Sequence, residues 1–151
     1  MSTYLSKEAL KNLEEELEHR RNVVRKEIAE RILAAKELGD LSENFEYQEA
    51  KEAQSMNESR MMEVEAMIKD YILVEQTKGG SDIQMGTTFV ASIKGQEKTY
   101  EIVGSNEADP LKGKISNESP LGQAFIGHEV GEEVEIQVPS GTNVYKIVKI
   151  L

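Results

Sequence analysis

The 151-residue chain has no cysteine, no tryptophan and only three prolines. Without cysteine it can form neither a disulfide nor a thiolate metal site, and nothing favours an oxidising compartment. No stretch approaches the roughly 20 consecutive apolar residues that a membrane-spanning helix needs, and the amino terminus lacks the apolar core of a signal peptide. These absences predict a cytoplasmic protein that has no membrane partner.

The chain also lacks a basic surplus: 28 acidic residues outnumber 18 lysines and arginines, and the formal net charge is −10. Non-specific binding to nucleic acid depends on lysine and arginine side chains that neutralise phosphates. A simple nucleic-acid binder is therefore unfavoured, and we expect no sequence-specific recognition of DNA. Residues 1–76 carry 18 acidic and 11 basic residues, and residues 77–151 carry 10 and 7, so most of the acidic surplus lies in the first part.

Helix-breaking residues are nearly absent from residues 7–75, where Gly39 is the only glycine and proline does not occur. A single interruption in a long helix-forming stretch is typical of a helical hairpin. Each arm has about 30 residues, which corresponds to roughly 45 Å of helix. Ser6 can cap the first helix, with Leu5 and Leu10 at the two positions of a hydrophobic staple.

Apolar residues recur in heptad phase in both arms, which predicts an antiparallel coiled coil. The first series has a slip near Ile28 that a local change in helix winding can absorb. Its members are Leu10, Leu13, Leu17, Val24, Ile28, Ile32, Ala35 and Leu38. The second series is Tyr47, Ala50, Gln54, Asn57, Met61, Val64, Ile68 and Tyr71.

The pattern changes after residue 76, where short segments rich in β-branched residues are separated by turn-forming sequences. The predicted strands are TTFVASI, KTYEIVG, EEVEIQV and NVYKIVKI. Between them, SPLGQAFIG predicts a short helix with Ser119 as its cap, Pro120 in its first turn and Gly127 after its end. The sequence thus predicts an α+β protein with a helical hairpin in residues 1–76 and a small sheet domain in residues 77–151.

The segment GDLSENFEY, residues 39–47, concentrates acidic residues between the two helical arms. Asp40 and Glu43 have the spacing of a capping box for the second helix. Capping does not explain the density of acid, and carboxylates at an exposed turn also suit Mg²⁺, which usually takes one or two carboxylates plus other ligands. Two carboxylates cannot form a cage alone, so a metal here would be shared with a partner.

The basic segment HRRNVVRK of the first arm is interpreted as a solvated helix face with ion pairs to nearby glutamates. Lys36 and Lys51 differ because an antiparallel hairpin brings both close to the acidic tip, where they could meet a nucleic acid. His19 and His128 have no partner at metal-ligand spacing and are interpreted as ordinary surface or packing residues.

The tip segment resembles the motif Asp-Leu-x-Glu-Asn-x-Glu-Tyr of the Gre family of bacterial transcript-cleavage factors at every fixed position. EIVGSNEAD and ISNESPLGQAFIGHEVGEEVEI resemble the C-terminal domain of the same family, so the resemblance covers essentially the whole chain. It implies an N-terminal antiparallel coiled coil and a C-terminal domain of the FKBP-like α+β type. Such factors dock on RNA polymerase, insert the coiled coil into its secondary channel and stimulate the polymerase to cleave backtracked RNA, without catalysis of their own.

The resemblance also implies residue roles. Asp40 and Glu43 would help to hold a weakly bound Mg²⁺ shared with the polymerase, and Lys36 and Lys51 would lie near the RNA 3′ end, where the family often has arginine. The residues implied for tip geometry and polymerase contact are Leu41, Asn44, Glu46 and Tyr47. Those implied for docking through the SNEADP and NESPLG segments are Asn106, Asp109, Ser119 and Pro120. Phe45 departs from the small or polar residue expected at its position.

Three alternatives remain at this point. One is a related channel-binding inhibitor, whose tip acids are usually altered, and another is a structural adaptor, which would not need those acids. The third is a prolyl isomerase with a coiled-coil arm. It needs an aromatic-lined pocket, for which the C-terminal part offers only Phe89, Tyr100, Phe125 and Tyr145 and no tryptophan.

Overall fold

The protein is described here by a computed structural model that covers residues 2–40 and 43–151. The chain forms two compact units: one is Glu8–Asp70, and the other combines Met1–Lys7 with Tyr71–Leu151. The first is helical and the second contains the sheets, so the predicted α+β class is confirmed. These units divide the chain at other places than the predicted boundary after residue 76, because both ends of the helical hairpin continue into strands of the sheet unit.

The helical unit is a hairpin of two arms. The first arm runs without a break through α1 (Lys7–His19), a π-helical segment (Arg20–Val24) and α2 (Arg25–Lys36), and the second is α3 (Phe45–Lys69). Hydrogen bonds join Asn44 to Ala35 near the turn and Arg60 to Glu16 farther from it. The two arms are therefore antiparallel, as predicted.

The predicted heptad positions supply the buried face of each arm. Those of the first arm with the least exposure are Leu13, Ile28 and Ala35. Those of the second arm are Ala50, Asn57, Met61 and Val64. Two predicted members are exceptions: Leu38 is exposed beyond the end of α2, and Tyr71 lies outside α3 in a strand.

The π-helical segment is where the first arm changes its winding. The Arg25 N–H donates to the Arg20 carbonyl five residues earlier, which is the hydrogen bond of a π turn. A π turn holds more residues than an α turn, so it rotates the following residues around the helix axis. This segment ends four residues before Ile28, and it keeps Ile28 and Leu13 on the same buried face despite the slip in the heptad pattern.

The sheet unit is built on five strands in the order β5-β4-β3-β7-β6. Their bounds are β3 Thr88–Ile93, β4 Gln96–Val103, β5 Lys114–Ser116, β6 Glu133–Val138 and β7 Gly141–Ile150. Neighbouring strands are antiparallel except β4 and β5, which are parallel. The four predicted strands and the predicted helix, α4 (Pro120–Phe125), are confirmed.

The aromatic residues of this unit pack mainly against one another. Phe89 and Phe125 are fully buried, their ring centroids are 4.9 Å apart, and Tyr100 and Tyr145 pack on the Phe125 ring at 5.8 and 5.3 Å. Burial raises the pKa of the Tyr100 hydroxyl. Phe89 and Phe125 thus belong to the core of the sheet unit, and the partly buried Tyr100 and Tyr145 pack against it.

The sheet unit also contains a two-stranded sheet that was not predicted. β1 (Thr3–Leu5) pairs in parallel with β2 (Tyr71–Leu73), and Leu5 is fully buried. The backbone of Gly104 approaches this sheet so closely that an added Cβ would lie 2.2 Å from the Tyr4 carbonyl oxygen. The first residues of the chain are therefore part of the sheet unit.

Candidate functional site

The site suggested by the sequence is the turn between α2 and α3. After α2, the N–H groups of Leu38 and Gly39 donate to the carbonyls of Ala35 and Lys36, and Gly39 has a φ of +126° that favours glycine. Leu41, one of the predicted contact residues, lies outside the described residues. The connection between the arms thus starts after Lys36, the last residue of α2, and ends where α3 starts at Phe45.

Asn44, rather than Asp40, caps the second helix. The Asn44 side-chain oxygen accepts a hydrogen bond of 3.0 Å from the Tyr47 N–H, and its side-chain nitrogen donates to the Ala35 carbonyl at 2.6 Å. The capping-box interpretation of Asp40 and Glu43 was wrong, because α3 begins four residues later than that interpretation requires. One asparagine side chain therefore caps the second arm and ties it to the buried end of the first.

Asp40 and Glu43 lie before the helix, and both are exposed. Glu43 immediately precedes the Asn44 cap, near the helix amino terminus, where a negative charge is stabilised. Within residues 2–40 and 43–151, no group of three or more histidine, aspartate or glutamate side chains converges in a way that could hold a metal ion. Two exposed carboxylates still suit Mg²⁺, which commonly uses one or two of them together with water and ligands from another molecule.

The remaining tip residues fall into two groups. Tyr47 is half-buried and belongs to the packed side of α3, whereas Glu46 is exposed and lines a cleft of about 430 Å³ whose walls include Leu38 and Arg31. Phe45 is 76% exposed. Its side chain is therefore not buried in the hairpin.

Lys36 and Lys51 are both exposed, at the end of α2 and in the second turn of α3. The Lys51 ammonium donates a hydrogen bond of 2.8 Å to Gln54. Both lysines therefore lie on the two helices that flank the turn, Lys36 at the last residue of α2 and Lys51 near the start of α3.

A polar layer crosses the hairpin at the π-helical segment, where the predicted heptad member Asn57 meets residues that the sequence did not predict as its partners. Asn57 is almost fully buried and exchanges hydrogen bonds with Arg20, receiving one from the guanidinium and donating one to the backbone carbonyl. Arg20 and Arg60 both donate to the Glu16 carboxylate at 2.8 Å. The hydrogen bond from Arg60, assisted by that from Arg20 and opposed by burial, lowers the pKa of Glu16 to about 2.

The other arginines of the HRRNVVRK segment form the predicted ion pairs. Arg21 pairs with Glu65 at 2.9 Å, and Arg25 makes two hydrogen bonds to Glu58 at 2.8 and 2.9 Å. The hydrogen bond from Arg25 lowers the pKa of Glu58. These arginines stabilise the pairing of the arms, so the interpretation of the segment as a solvated face with ion pairs is confirmed.

The predicted docking segments meet at the parallel pair β4 and β5. The Ser105 hydroxyl contacts the Ser116 hydroxyl at 2.9 Å and donates to Glu118 at 2.7 Å, which joins the turn that contains Asn106 to the segment before α4. Asp109 forms an isolated bridge with Lys114, the first residue of β5. The predicted set Asn106, Asp109, Ser119 and Pro120 thus belongs to one hydrogen-bonded surface of the sheet unit.

The cap and the first turn of α4 follow the sequence prediction. Ser119 accepts a hydrogen bond of 3.1 Å from the Gly122 N–H and donates to the Ser116 carbonyl at 2.7 Å. Pro120 occupies the first turn of α4.

In the part of the chain that the structure describes, no helix is both long and apolar enough to cross a membrane.

Comparison with known proteins covers both units. Residues 3–72 match the family described as transcription elongation factor, N-terminal, and residues 78–151 match transcription elongation factor, GreA/GreB, C-term. A solved structure, GreA factor homolog 1 of Thermus thermophilus, is 24% identical over 100% of this chain and 99% of its own, with a TM-score of 0.45.

Curated relatives have a higher sequence identity to this chain. Transcription elongation factor GreA of Geobacillus kaustophilus is 46% identical over 149 residues, which is 97% of this chain and 94% of that protein. The protein of the same name from Bacillus subtilis is 46% identical over 148 residues, with the same coverage of 97% and 94%. The chain therefore belongs to the GreA/GreB family of transcription elongation factors.

Proposed function

We propose that this chain binds bacterial RNA polymerase, places the tip of its hairpin in the secondary channel and stimulates the polymerase to cleave backtracked RNA. Membership of the GreA/GreB family, shown by relatives named transcription elongation factor GreA, supports the general activity. In this proposal the hairpin acts as a coiled coil, the sheet unit has the FKBP-like topology, and the protein works in the cytoplasm. The isolated chain catalyses nothing, because the reacting groups belong to the polymerase.

The proposal rests on the observation that the residue that caps α3 at the tip is neither of the two acidic residues. Asn44 caps α3 and holds the two arms together, so the fold does not require Asp40 or Glu43 as the helix cap. Both carboxylates are exposed beside this fixed point. Exposed carboxylates next to a fixed helix start are suited to act on a second molecule.

Asp40 and Glu43 are the residues that would share a Mg²⁺ ion with the polymerase. When bound, such an ion supplies a more acidic water and stabilises negative charge during hydrolysis of a phosphodiester. The two carboxylates contribute hard oxygen ligands and negative charge that favour the cation. Asn44 fixes the start of α3, and this limits the positions that Glu43 can take.

Lys36 and Lys51 would lie beside the RNA, where their charges attract phosphate oxygens. Lysine acts as a point charge and lacks the two-pronged geometry of arginine. We therefore assign them to electrostatic attraction of the extruded RNA 3′ end rather than to fixed recognition of one phosphate.

The test is RNA cleavage by stalled polymerase, measured with wild type and with the variants Asp40→Asn and Glu43→Gln. Each variant should lose most of the stimulated cleavage, and added Mg²⁺ should partly restore it, because the missing charge lowers the affinity for the ion. Glu52→Gln is the matched control, since Glu52 is an exposed glutamate farther along α3. It should cleave like wild type.

Binding to the polymerase and thermal stability are measured for the same proteins. Both should stay close to wild type, because exposed substitutions typically change stability by less than about 0.5 kcal/mol. Wild-type cleavage rates from both tip variants would refute the metal assignment. If wild type fails to stimulate cleavage at saturating concentration, the proposed function itself is wrong.

A further inference from the structure

The strand β2 (Tyr71–Leu73) is an open and apolar sheet edge. It pairs with β1 on one side, and in the described part of the chain no strand pairs with its other side. The outer edge of β1 is occupied, because the backbone of Gly104 lies against Tyr4. The three residues of β2 are large and hydrophobic, yet they are 39%, 44% and 41% exposed. Such an edge is a template for another strand unless charged residues or proline protect it, and β2 carries neither.

The open edge of β2 presents a defined set of backbone groups. The Val74 N–H donates to the Leu5 carbonyl at 2.8 Å, so this backbone group points towards β1. Successive residues of a strand direct their backbone groups alternately to its two sides. Ile72 therefore also faces β1, whereas the N–H and carbonyl groups of Tyr71 and Leu73 point to the open side.

Two copies of β2 fit each other in antiparallel orientation about a two-fold axis at Ile72. In this register, Tyr71 of each copy lies opposite Leu73 of the other, as a two-fold contact requires. Both residues direct their backbone groups outwards, so each of these pairs can exchange both of its N–H to carbonyl hydrogen bonds. The paired Tyr71 and Leu73 side chains lie on one face of the sheet, where an aromatic and an aliphatic side chain pack favourably.

The charged residues next to β2 favour the same register. Lys69 and Glu75 lie at equal distances before and after Ile72 in the sequence, so antiparallel pairing brings each lysine opposite a glutamate of the other copy. A parallel pair would instead bring like charges together. Lys69 is exposed. The Glu75 carboxylate is 3.7 Å from Lys7 in an exposed ion pair, which is of a kind that contributes little.

We propose that β2 is a self-association surface, through which two copies of this chain join by antiparallel pairing of their β2 strands. The partner is a second copy because the edge is complementary to itself in hydrogen bonds, apolar side chains and charge. The net charge of −10 on each copy opposes less specific association. The inference concerns the free chain and does not depend on the proposed function.

Disulfide cross-linking of the full chain tests the position of the two-fold axis. The chain has no cysteine, and the Cα atoms of a non-hydrogen-bonded antiparallel pair are about 4.5 Å apart, a distance that a disulfide can span. Ile72→Cys should form a linked dimer under mild oxidation about tenfold faster than Val144→Cys, because pairing holds its thiols together. Val144 is a matched control, since it is also an apolar strand residue and is 42% exposed.

Sedimentation velocity tests the register and leaves β2 itself unchanged. Wild type should shift from monomer to dimer as its concentration is raised to about 1 mM, a range that includes weak contacts. Lys69→Glu should raise the Kd about tenfold, because repulsion replaces both ion pairs of the dimer. Adding Glu75→Lys to this variant reverses the pairs and should restore most of the affinity. Lys78→Glu is the matched control: it changes the net charge equally, lies outside the paired segment and should stay close to the wild-type Kd.

A wild type that stays monomeric over the whole concentration range would overturn the proposal, and so would equal cross-linking rates for Ile72→Cys and Val144→Cys. Equal effects of Lys69→Glu and Lys78→Glu, or a double variant that regains no affinity, would overturn the antiparallel register. Circular dichroism reports the fold of each variant. If Ile72→Cys unfolds, the charge variants still decide the proposal, because they keep every residue of β2.

Discussion

Replacement of Glu16 by glutamine removes the negative charge at the centre of the polar layer in the hairpin. Arg20 and Arg60 would then share a neutral amide in place of a carboxylate that both contact at 2.8 Å. Because these arginines come from opposite arms, the change weakens the pairing of the arms. We expect the free energy of unfolding of the helical unit to fall.

The magnitude follows from the pKa of Glu16. Lowering this pKa from 4.5 to about 2 corresponds to roughly 3 kcal/mol at neutral pH, at about 1.4 kcal/mol for each pKa unit. The Glu16 side chain keeps 28% of its exposure, so water screens part of the interaction, and we expect a loss of about 2 kcal/mol. The folded state holds the pKa below its unfolded value, so this stabilisation is complete above pH 4.5 and is lost as the pH falls towards 2.

The assay is urea unfolding of the full chain followed by circular dichroism at 222 nm, repeated between pH 7 and pH 2. The difference between wild type and Glu16→Gln should be constant at neutral pH and should shrink below pH 4.5. Glu15→Gln is the control, because Glu15 is 65% exposed and its ion pair with Lys11 is 4.0 Å long. Equal losses for the two variants, or a difference that does not depend on pH, would refute the account of the polar layer.

Two further substitutions test the turn of the hairpin and the packing of α4. Asn44→Ala removes both the cap of α3 and the hydrogen bond to Ala35, and it should lower the free energy of unfolding by about 2 kcal/mol in urea titrations; a loss below the error of the titration would contradict the double role of Asn44. Gly122→Ala places a Cβ 2.0 Å from the Ser116 carbonyl oxygen, so α4 must move, and the melting temperature should fall well below that of the control Ala124→Gly. An unchanged melting temperature for Gly122→Ala would show that α4 is not held against Ser116.

Regular elements could be predicted from the sequence because their side chains repeat with the period of the element. The strands β3, β4, β6 and β7 alternate or carry β-branched residues between clear turns, and α4 has a serine cap followed by proline. The heptad series predicted which residues of both arms are buried, including the polar Asn57. These predictions depend only on the side chains of residues close together in the sequence, so they can be made from the sequence alone.

Features that depend on distant parts of the chain escaped prediction. β1 and β2 have three residues each and lie at opposite ends of the helical hairpin, so neither shows a pattern of its own, and Tyr71 was assigned to the heptad series of α3.

The start of α3 was placed wrongly because the tip contains several residues that can cap a helix. Asp40 and Asn44 are both good caps, and the spacing of Asp40 and Glu43 favoured the earlier one. Asn44 is the cap because its side chain also reaches the Ala35 carbonyl of the other arm. A contact between the arms thus decides a choice that local spacing left open.

Because of the π-helical segment Arg20–Val24, the number of residues in the first arm decides which of its side chains face α3. Each residue of an α-helix advances the direction of the side chains by about 100°. Leu13 and Ile28 are 15 residues apart, one more than two heptads, and the π turn takes up the extra residue. Deleting one residue inside the segment would therefore leave an unbroken α-helix in which both side chains still face α3. If the same residues formed an α-helix without a deletion, the half of the arm next to the acidic turn would rotate by about 100° away from α3. The phase of that half is therefore set by one extra residue that lies several helical turns away.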